Sequence, residues 1–458
     1  MILQESRVGL AVADREKKFS GYENRGLIAK LISEALRGAG LGQTDENAPF
    51  KDIIEAGMTV LLKPNWVLHC NMGGKGMDCM ITHPIFIEEV IKEIVKASPG
   101  RIILADAPIQ RTIFTNIVTA EWQGQLRRIA NPCRLDIIDF RKSIWCGVGR
   151  ESHVESGSRV KTDYILFDLA SQSLLEPISD PVGKFRNTCY NPDSLTLTHR
   201  PGCHKYLLSR EVFEADVVIN LPKLKSHRKA GITAAIKNLV GINGDKDYLP
   251  HHRIGGSLQG GDCYEGKTIL KHIAEQIGDC ANRRINTKAY YPLVKFGSYF
   301  MKLNRALYGE DEIEGGWHGN DTIWRMVLDL NRIALYGSAN GKISSDKQRR
   351  VYSLTDAVIA GEGFGPLAPE PINLGAVSFA TSSAFADLVH TALMRFDWRK
   401  IPCVNHAFDS FDYKLTSVRP EDVKIYVNDD ILNLDNLAAK YGMDFRPAQG
   451  WEDHIELV

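Results

Sequence analysis

The feature that most limits what this chain can fold into is the recurrence of short apolar runs of about the same length, separated by stretches of helical pattern. VGLAVA (8–13), MTVLLK (58–63), RIILAD (101–106), LDIIDF (135–140), DYILFDL (163–169) and ADVVINL (215–221) are each too short for a stable helix and read as strands. RGLIAKLISEALRGAG, whose terminal glycines suit a C-cap, and PIFIEEVIKEIVKA, with Pro84 at a first helical position, lie between them. The order strand, loop, helix, strand implies an α/β fold with a mainly parallel sheet and crossover helices. From about residue 267 to 337 the pattern turns helical and aromatic; TDAVIAGE (355–362) and AVSFAT (376–381) then resume the strands, followed by a helix at SAFADLVHTALMRF. This divides the chain into an α/β core lobe (1–265) carrying strand-end site loops, a helical aromatic insert (266–345), and a second α/β segment (346–458) that completes the site and adds a closing element. No linker is evident, so the two lobes are expected to pack closely.

The site is expected just past the strands, because open α/β sheets bind ligands beyond the carboxyl ends of their strands. Four segments lie there. Lys63, Pro64 and Asn65 end one strand, and Gly73, Gly74 and Gly76 loosen the loop before a helix at His83 and Pro84, an arrangement suited to an anion at a helix N-terminus. His83 capping that helix is the plain alternative. Asp106, with Gln110 after it, offers a carboxylate to a metal, a ribose or a neighbouring lysine. The densest segment is NLPKLKSHRKAGITAAIKNLVGINGDKDYLPHHR (220–253). Lys223, Lys225 and His227 follow a strand directly, and GITAAIKNLVG reads as a helix with Lys237 and Asn238 on an apolar face, where a lysine needs a partner. His251 and His252 are adjacent in an extended stretch, so at most one enters a given site. Last, Gly361, Gly363 and Gly365 let backbone approach something closely after TDAVIAGE. Asp321 reads as the N-cap of a later helix, and the histidine pair of HRPGCHKY (199–206) has no assigned role.

Charge and cysteine usage exclude several classes. Lys plus Arg and Asp plus Glu both number 56, so no global basic field draws the chain to nucleic acid and the cations of 220–253 are a local concentration. The first residues lack the apolar core of a signal peptide and no run reaches the ~20 apolar residues of a membrane helix, so no membrane and a cytoplasmic location are expected. The nine cysteines form no CxxC pair, against a disulfide framework, a zinc ribbon or an iron–sulfur cluster; Cys70 and Cys79, flanking the glycine-rich loop, stand apart from the rest.

KPNWV followed by THP, then ADVVINLPKLKSH, AAIKNLVGINGDK with HHR, and DAVIAGEGFGP, in that order over roughly residues 55–410, resemble the domain-of-unknown-function family 362. Many of its members carry a ferredoxin-like CxxC module, which this chain lacks. A more distant similarity is to the nickel-pincer lactate racemases, in which a lysine anchors a pyridinium-derived nickel cofactor and histidines serve as metal ligand and acid–base pair. That resemblance implies Lys237 as the tethering lysine, His227 as an earlier histidine and His251 or His252 as the later one. Its GGAK reads AAIK here, which speaks against the nickel-pincer cofactor itself and leaves metal- or anion-assisted chemistry on the same scaffold.

Together these readings give an enzyme acting on a small anionic substrate, such as a sugar acid, hydroxy acid or sugar phosphate. The expected reaction is a metal-assisted isomerisation or epimerisation, with surface-polysaccharide metabolism as a setting suggested by the chain's size and insert. Lys63, Asn65, Lys223, Lys225, Asn238, Arg253 and Gly363 are the expected substrate contacts. His227, Lys237, His251 and His252 are the catalytic candidates, and Asp106, His227 and His252 the ligands of a divalent metal. A non-catalytic anion- or nucleotide-binding module and a nucleotide-dependent ligase or transferase are the alternatives; the sequence carries no signal for oligomeric state.

Overall fold

The computed structural model describes residues 3–14, 21–309, 312–428 and 430–457; parts of the N-terminal stretch read for a leader lie outside them. The first half runs β1 (Arg7–Val12), α1 (Arg25–Gly38), β2 (Thr59–Pro64), α2 (Pro84–Val95), β3 (Arg101–Asp106), α3 (Ala120–Ala130), β4 (Arg134–Asp139), β5 (Tyr164–Asp168) and β6 (Cys203–Ser209). It continues with β7 (Val217–Leu221), β8 (Lys223–His227), β9 (Gly231–Thr233), the single-turn α4 (Ala235–Asn238), α5 (Ile269–Asn282), α6 (Tyr290–Tyr308) and α7 (Ile323–Tyr336). Then follow β10 (Arg350–Phe364), β11 (Ala368–Ile372), β12 (Ala376–Ala380), α8 (Ser383–Leu393), β13 (Lys424–Val427) and β14 (Asp430–Leu432).

One large sheet organises the molecule, in the order β14–β13–β1–β12–β10–β7–β2–β3–β4. From β10 to β4 every pairing is parallel, whereas β12 runs antiparallel to both β10 and β1. The fold is thus α/β with a mainly parallel sheet. Its central strands are apolar on both sides because helices cover both faces. Val60 and Leu62 of β2 face a core with α1, α2 and α3, while the intervening Leu61 faces a second core with α7. A third core joins α8 to β1, β12 and β13.

Three sequence expectations are corrected in detail. DYILFDL forms β5 in a separate small sheet with β6. GITAAIKNLVG is not one helix: Gly231–Thr233 pairs with β8 as a strand, α4 lasts one turn, and a 3-10 turn completes it at Leu239–Ile242. Ala234, at φ −154° and ψ −142°, is extended and separates strand from helix. Finally, the start of α7 is satisfied by Asn320, whose Oδ1 accepts from the backbone of Thr322 and Ile323, while Asp321 pairs with Arg325.

β10 is 15 residues long and outlasts the sheet's central strands. Its far end pairs with β8 on one side and β11 on the other. This extension carries the turn 365–367 over the carboxyl ends of the parallel strands.

Candidate functional site

Beyond the carboxyl ends of β2, β3 and β7 lies a cavity of about 420 Å3. Its walls come from the loops after β2 and β3, the segment 187–190, the end of β8 with 228–229, α4 and the turn behind it, and Pro366–Leu367 after β10. Gly365 is required for that last approach: a Cβ there would lie 1.8 Å from the Ser226 carbonyl oxygen.

Five lysines line the cavity, and four of them are held by the protein. Lys63 Nζ pairs with Asp106 at 2.7 Å and donates to the Pro64 carbonyl. The pair needs Gly241, where a Cβ would sit 2.0 Å from Asp106 Oδ1. Lys225 donates to Asn65 Oδ1 at 2.9 Å and to the Met80 carbonyl. Lys229 donates to Thr188 Oγ1 and Lys246 to the Ala107 carbonyl, each at 2.9 Å. Lys237, on α4, has no hydrogen-bond or ion-pair partner among the described residues and keeps part of its surface open. Burial disfavours the charged form of an amine. It brings Lys237 and Lys246 down to about 8; Lys225, with Lys223 as a second cause, falls to about 7. Burial lowers Lys229 as well, against the opposing pull of Glu314.

Two imidazoles face the same cavity in different tautomers. His227 Nδ1 accepts from the backbone N–H of Lys229 (3.0 Å) and of Ala230 (3.2 Å), so its ring proton sits on Nε2. His251 Nδ1 lies 2.8 Å from the Leu249 carbonyl, which can only accept, so this ring carries its proton on Nδ1 and leaves Nε2 bare. Burial first, and the surrounding lysines second, hold both rings well below the usual imidazole range. One neutral ring therefore donates and the other accepts.

Of the residues expected from sequence, Lys63, Asn65, Asp106, Lys225, His227, Lys237, Asn238 and His251 come together on this cavity. Lys223 does not. A register irregularity between Lys223 and Lys225 re-aims the first, which pairs with Asp356 at 2.7 Å and donates to Tyr22 Oη at 2.6 Å in a fully buried network. His252 lies off the cavity, in a short pairing with Arg186, and Arg253 pairs with Asp262 at 3.5 Å. Gly363, at φ +70°, packs on the Arg446 guanidinium instead. The amides of Asn65 and Asn238 are used internally: Asn65 Nδ2 donates to Asn238 Oδ1 (2.9 Å), and Asn238 Nδ2 donates to Asn220 Oδ1 (2.8 Å).

The expected metal set does not assemble either. Asp106 is taken by Lys63 and by the Trp66 backbone N–H, and His252 is elsewhere. A metal-bound histidine normally donates its other ring N–H; His227 would have to ligate as an imidazolate, because backbone donors occupy its Nδ1. Among the described residues, the group with three ligand atoms in common reach is Cys146, His153 and Glu155, none of which lines the cavity. Cys70 is exposed and Cys79 buried, and neither lines the cavity.

Sequence reasoning did not select Arg111, Trp145, Asn187–Tyr190 or Glu314, all of which line the cavity. Arg111 stacks 4.4 Å over the Trp145 ring, and both sit in segments without strand or helix periodicity. Lys229 and Lys246 were visible in the cationic stretch, with nothing to say which way they point.

An α/β sheet with a lysine- and histidine-lined cavity beyond its strand ends defines the general class. Residues 180–392 match the family described as "Domain of unknown function (DUF362)", a description that names no activity. A thylakoid-associated protein of Synechocystis sp. is 44% identical over 68 residues, 15% of this chain and 19% of that protein. Among solved structures, the lactate racemase apoprotein of Thermoanaerobacterium thermosaccharolyticum is similar over 86% of this chain and 59% of its own, at 12% identity and a TM-score of 0.31. A structural-genomics target from Thermotoga maritima is similar over 76% of this chain and 54% of its own, at 9% identity and a TM-score of 0.32. The chain thus spans less than two thirds of each relative, between about a fifth and three fifths, and scores this low define no mechanism. No described helix is long and apolar enough to cross a membrane.

Proposed function

We propose that this protein is an enzyme that binds a small anionic molecule and moves a proton on it, as an isomerase or epimerase of a hydroxy acid, sugar acid or sugar phosphate does. The observation that carries this is the pairing of His227, with its proton on Nε2, and His251, with a bare Nε2, on one cavity rich in lysine. His251 Nε2 accepts the substrate proton as general base, and His227 Nε2–H donates as general acid. Lys237, the amine without a protein partner, holds the carboxylate or phosphate, and Lys225, Lys229 and Lys246 offset the negative charge that develops as the proton leaves. The volume of about 420 Å3 sits toward the small end of ligand pockets, which suits a molecule of this size.

The test is solvent isotope exchange. Purified protein in D2O is incubated with a panel of 2-hydroxy acids, sugar acids and sugar phosphates, and deuterium incorporation at carbon is followed by NMR. At least one member of the panel is expected to exchange, and His227→Gln or His251→Gln should each slow that exchange ~100- to 10,000-fold. Binding of panel members without exchange, unaltered in both variants, would replace the enzyme with an anion-binding module.

A further inference from the structure

Downstream of β4 the chain forms a hairpin, Ser143–Cys146 against His153–Ser156, at the edge of the cavity. Antiparallel register sets Cys146 opposite His153, and Glu155 lies two residues beyond His153. Side chains alternate across a strand, so Cys146, His153 and Glu155 share one face while Trp145 and Val154 share the other. Their ligand atoms, a sulfur, a ring nitrogen and a carboxylate oxygen, all lie within 4.8 Å of one another.

The orientation of His153 is that of a ligand. Its Nδ1 is 2.7 Å from the Glu151 carbonyl, which fixes the proton on Nδ1 and turns Nε2 toward the cluster. A metal-bound histidine characteristically carries this kind of outer hydrogen bond. His153 Nε2 lies 2.7 Å from Glu155 Oε1, where the ring nitrogen donates to the carboxylate, and Cys146 Sγ contacts Glu155 Oε2 at 3.7 Å. The face is open to solvent, so an ion can reach it and a water can complete its shell.

The geometry points to a divalent transition-metal site formed by Cys146 Sγ, His153 Nε2 and the Glu155 carboxylate, of the zinc class, with a fourth position left to water. A mixed S, N and O donor set with three protein ligands suits Zn2+ and is unsuited to Mg2+ or Ca2+, which take oxygen. Binding releases two protons to solvent, the thiol proton of Cys146 and the Nε2 proton that His153 gives to Glu155, so the bound sulfur is the thiolate and the bound ring is neutral. The site is separate from the cavity, yet it clamps the hairpin whose opposite face supplies Trp145 to the cavity wall. The hairpin is also held from the cavity side, through the Trp145 N–H to the Gln110 carbonyl at 3.0 Å.

Cobalt(II) gives the site a signal. Full-length protein is stripped with chelator, titrated with Co2+ under anoxic conditions, and watched for a thiolate-to-cobalt charge-transfer band. The band is expected to saturate at one ion per chain and to be displaced by Zn2+, which binds such sites more tightly. Cys146→Ser should abolish it, and His153→Ala at a half-buried position and Glu155→Gln at an exposed one should each weaken Co2+ binding more than about tenfold. No charge-transfer band, or a band of unchanged strength and affinity in the His153 and Glu155 variants, would overturn the assignment. Because none of the three residues lines the cavity, loss of the band leaves the isotope-exchange test independent, and the two readings fail separately.

Discussion

At the scale of single residues, the cations after β7 differ by what surrounds each of them. Lys223 and Lys225 are two positions apart in one strand, yet the irregularity between them sends the first into a closed network with Tyr22 and Asp356 and the second to the cavity. Neither Lys223 nor Asp356 exposes any side chain, and Tyr22 stacks on His83 at 3.6 Å between ring centroids. Removing one partner of a buried pair leaves an uncompensated charge, so Asp356→Ala should cost about 3–5 kcal/mol. Chemical denaturation would read this as a lowered midpoint at unchanged slope, and a loss below ~1 kcal/mol would mean that the pair is not charged as drawn. In the sequence Lys223 and Lys225 read as one pair of substrate contacts, and the need for a partner is legible only at Lys237. That Lys223 is already paired is not legible there, because its partner is 133 residues away and the irregularity leaves no mark in the composition of KLKSH.

At the scale of elements, the long regular strands and helices were legible and the short ones around the site were not. The runs at 58–63, 101–106 and 215–221 became β2, β3 and β7 because an apolar run of that length has few alternatives once helices cover both of its faces. The segment GITAAIKNLVG looked helical because its spacing fits a helix, but pairing of Gly231–Thr233 with β8 consumes the first residues. What remains is a single turn, which tertiary contacts must hold. Asp387 of α8 supplies them: its Oδ1 and Oδ2 accept the backbone N–H groups of Ala235 and Ile236 at 2.6 and 2.9 Å. Asp387→Ala leaves two buried donors unsatisfied and should destabilise the protein by about 2–5 kcal/mol while releasing the turn that carries Lys237. Backbone amide exchange at 235–238 should rise well above that of α1 or α2 in this variant; protection equal to the parent's would show that the turn holds without Asp387.

At the scale of the molecule, a chain of zero formal charge concentrates five lysines and two neutral imidazoles in one cavity, and this sets its pH behaviour. Lys225 titrates near 7 and Lys237 and Lys246 near 8, so the free protein holds these ammonium groups below about pH 7 and loses them as pH rises through both values. An anion binds the protonated forms, so affinity should be greatest below about pH 7 and fall on the alkaline side by up to about tenfold per pH unit for each amine that must take up a proton. Calorimetric titration of sulfate, whose charge is constant across that range, would show the decline, and an affinity flat through pH 7 to 8 would exclude these amines from the anion site. The loops that close the cavity, 187–190 and the one bearing Glu314, stayed unreadable in sequence because they carry no periodicity; only the fold brings them to the strand ends. The central claim is the opposed tautomers of His227 and His251, and 15N-histidine NMR of the full chain at neutral pH, assigned with His227→Gln and His251→Gln, measures it most directly. Two neutral rings, His227 protonated on Nε2 and His251 on Nδ1, are the expected result; an imidazolium at either position, or the same tautomer at both, would contradict it.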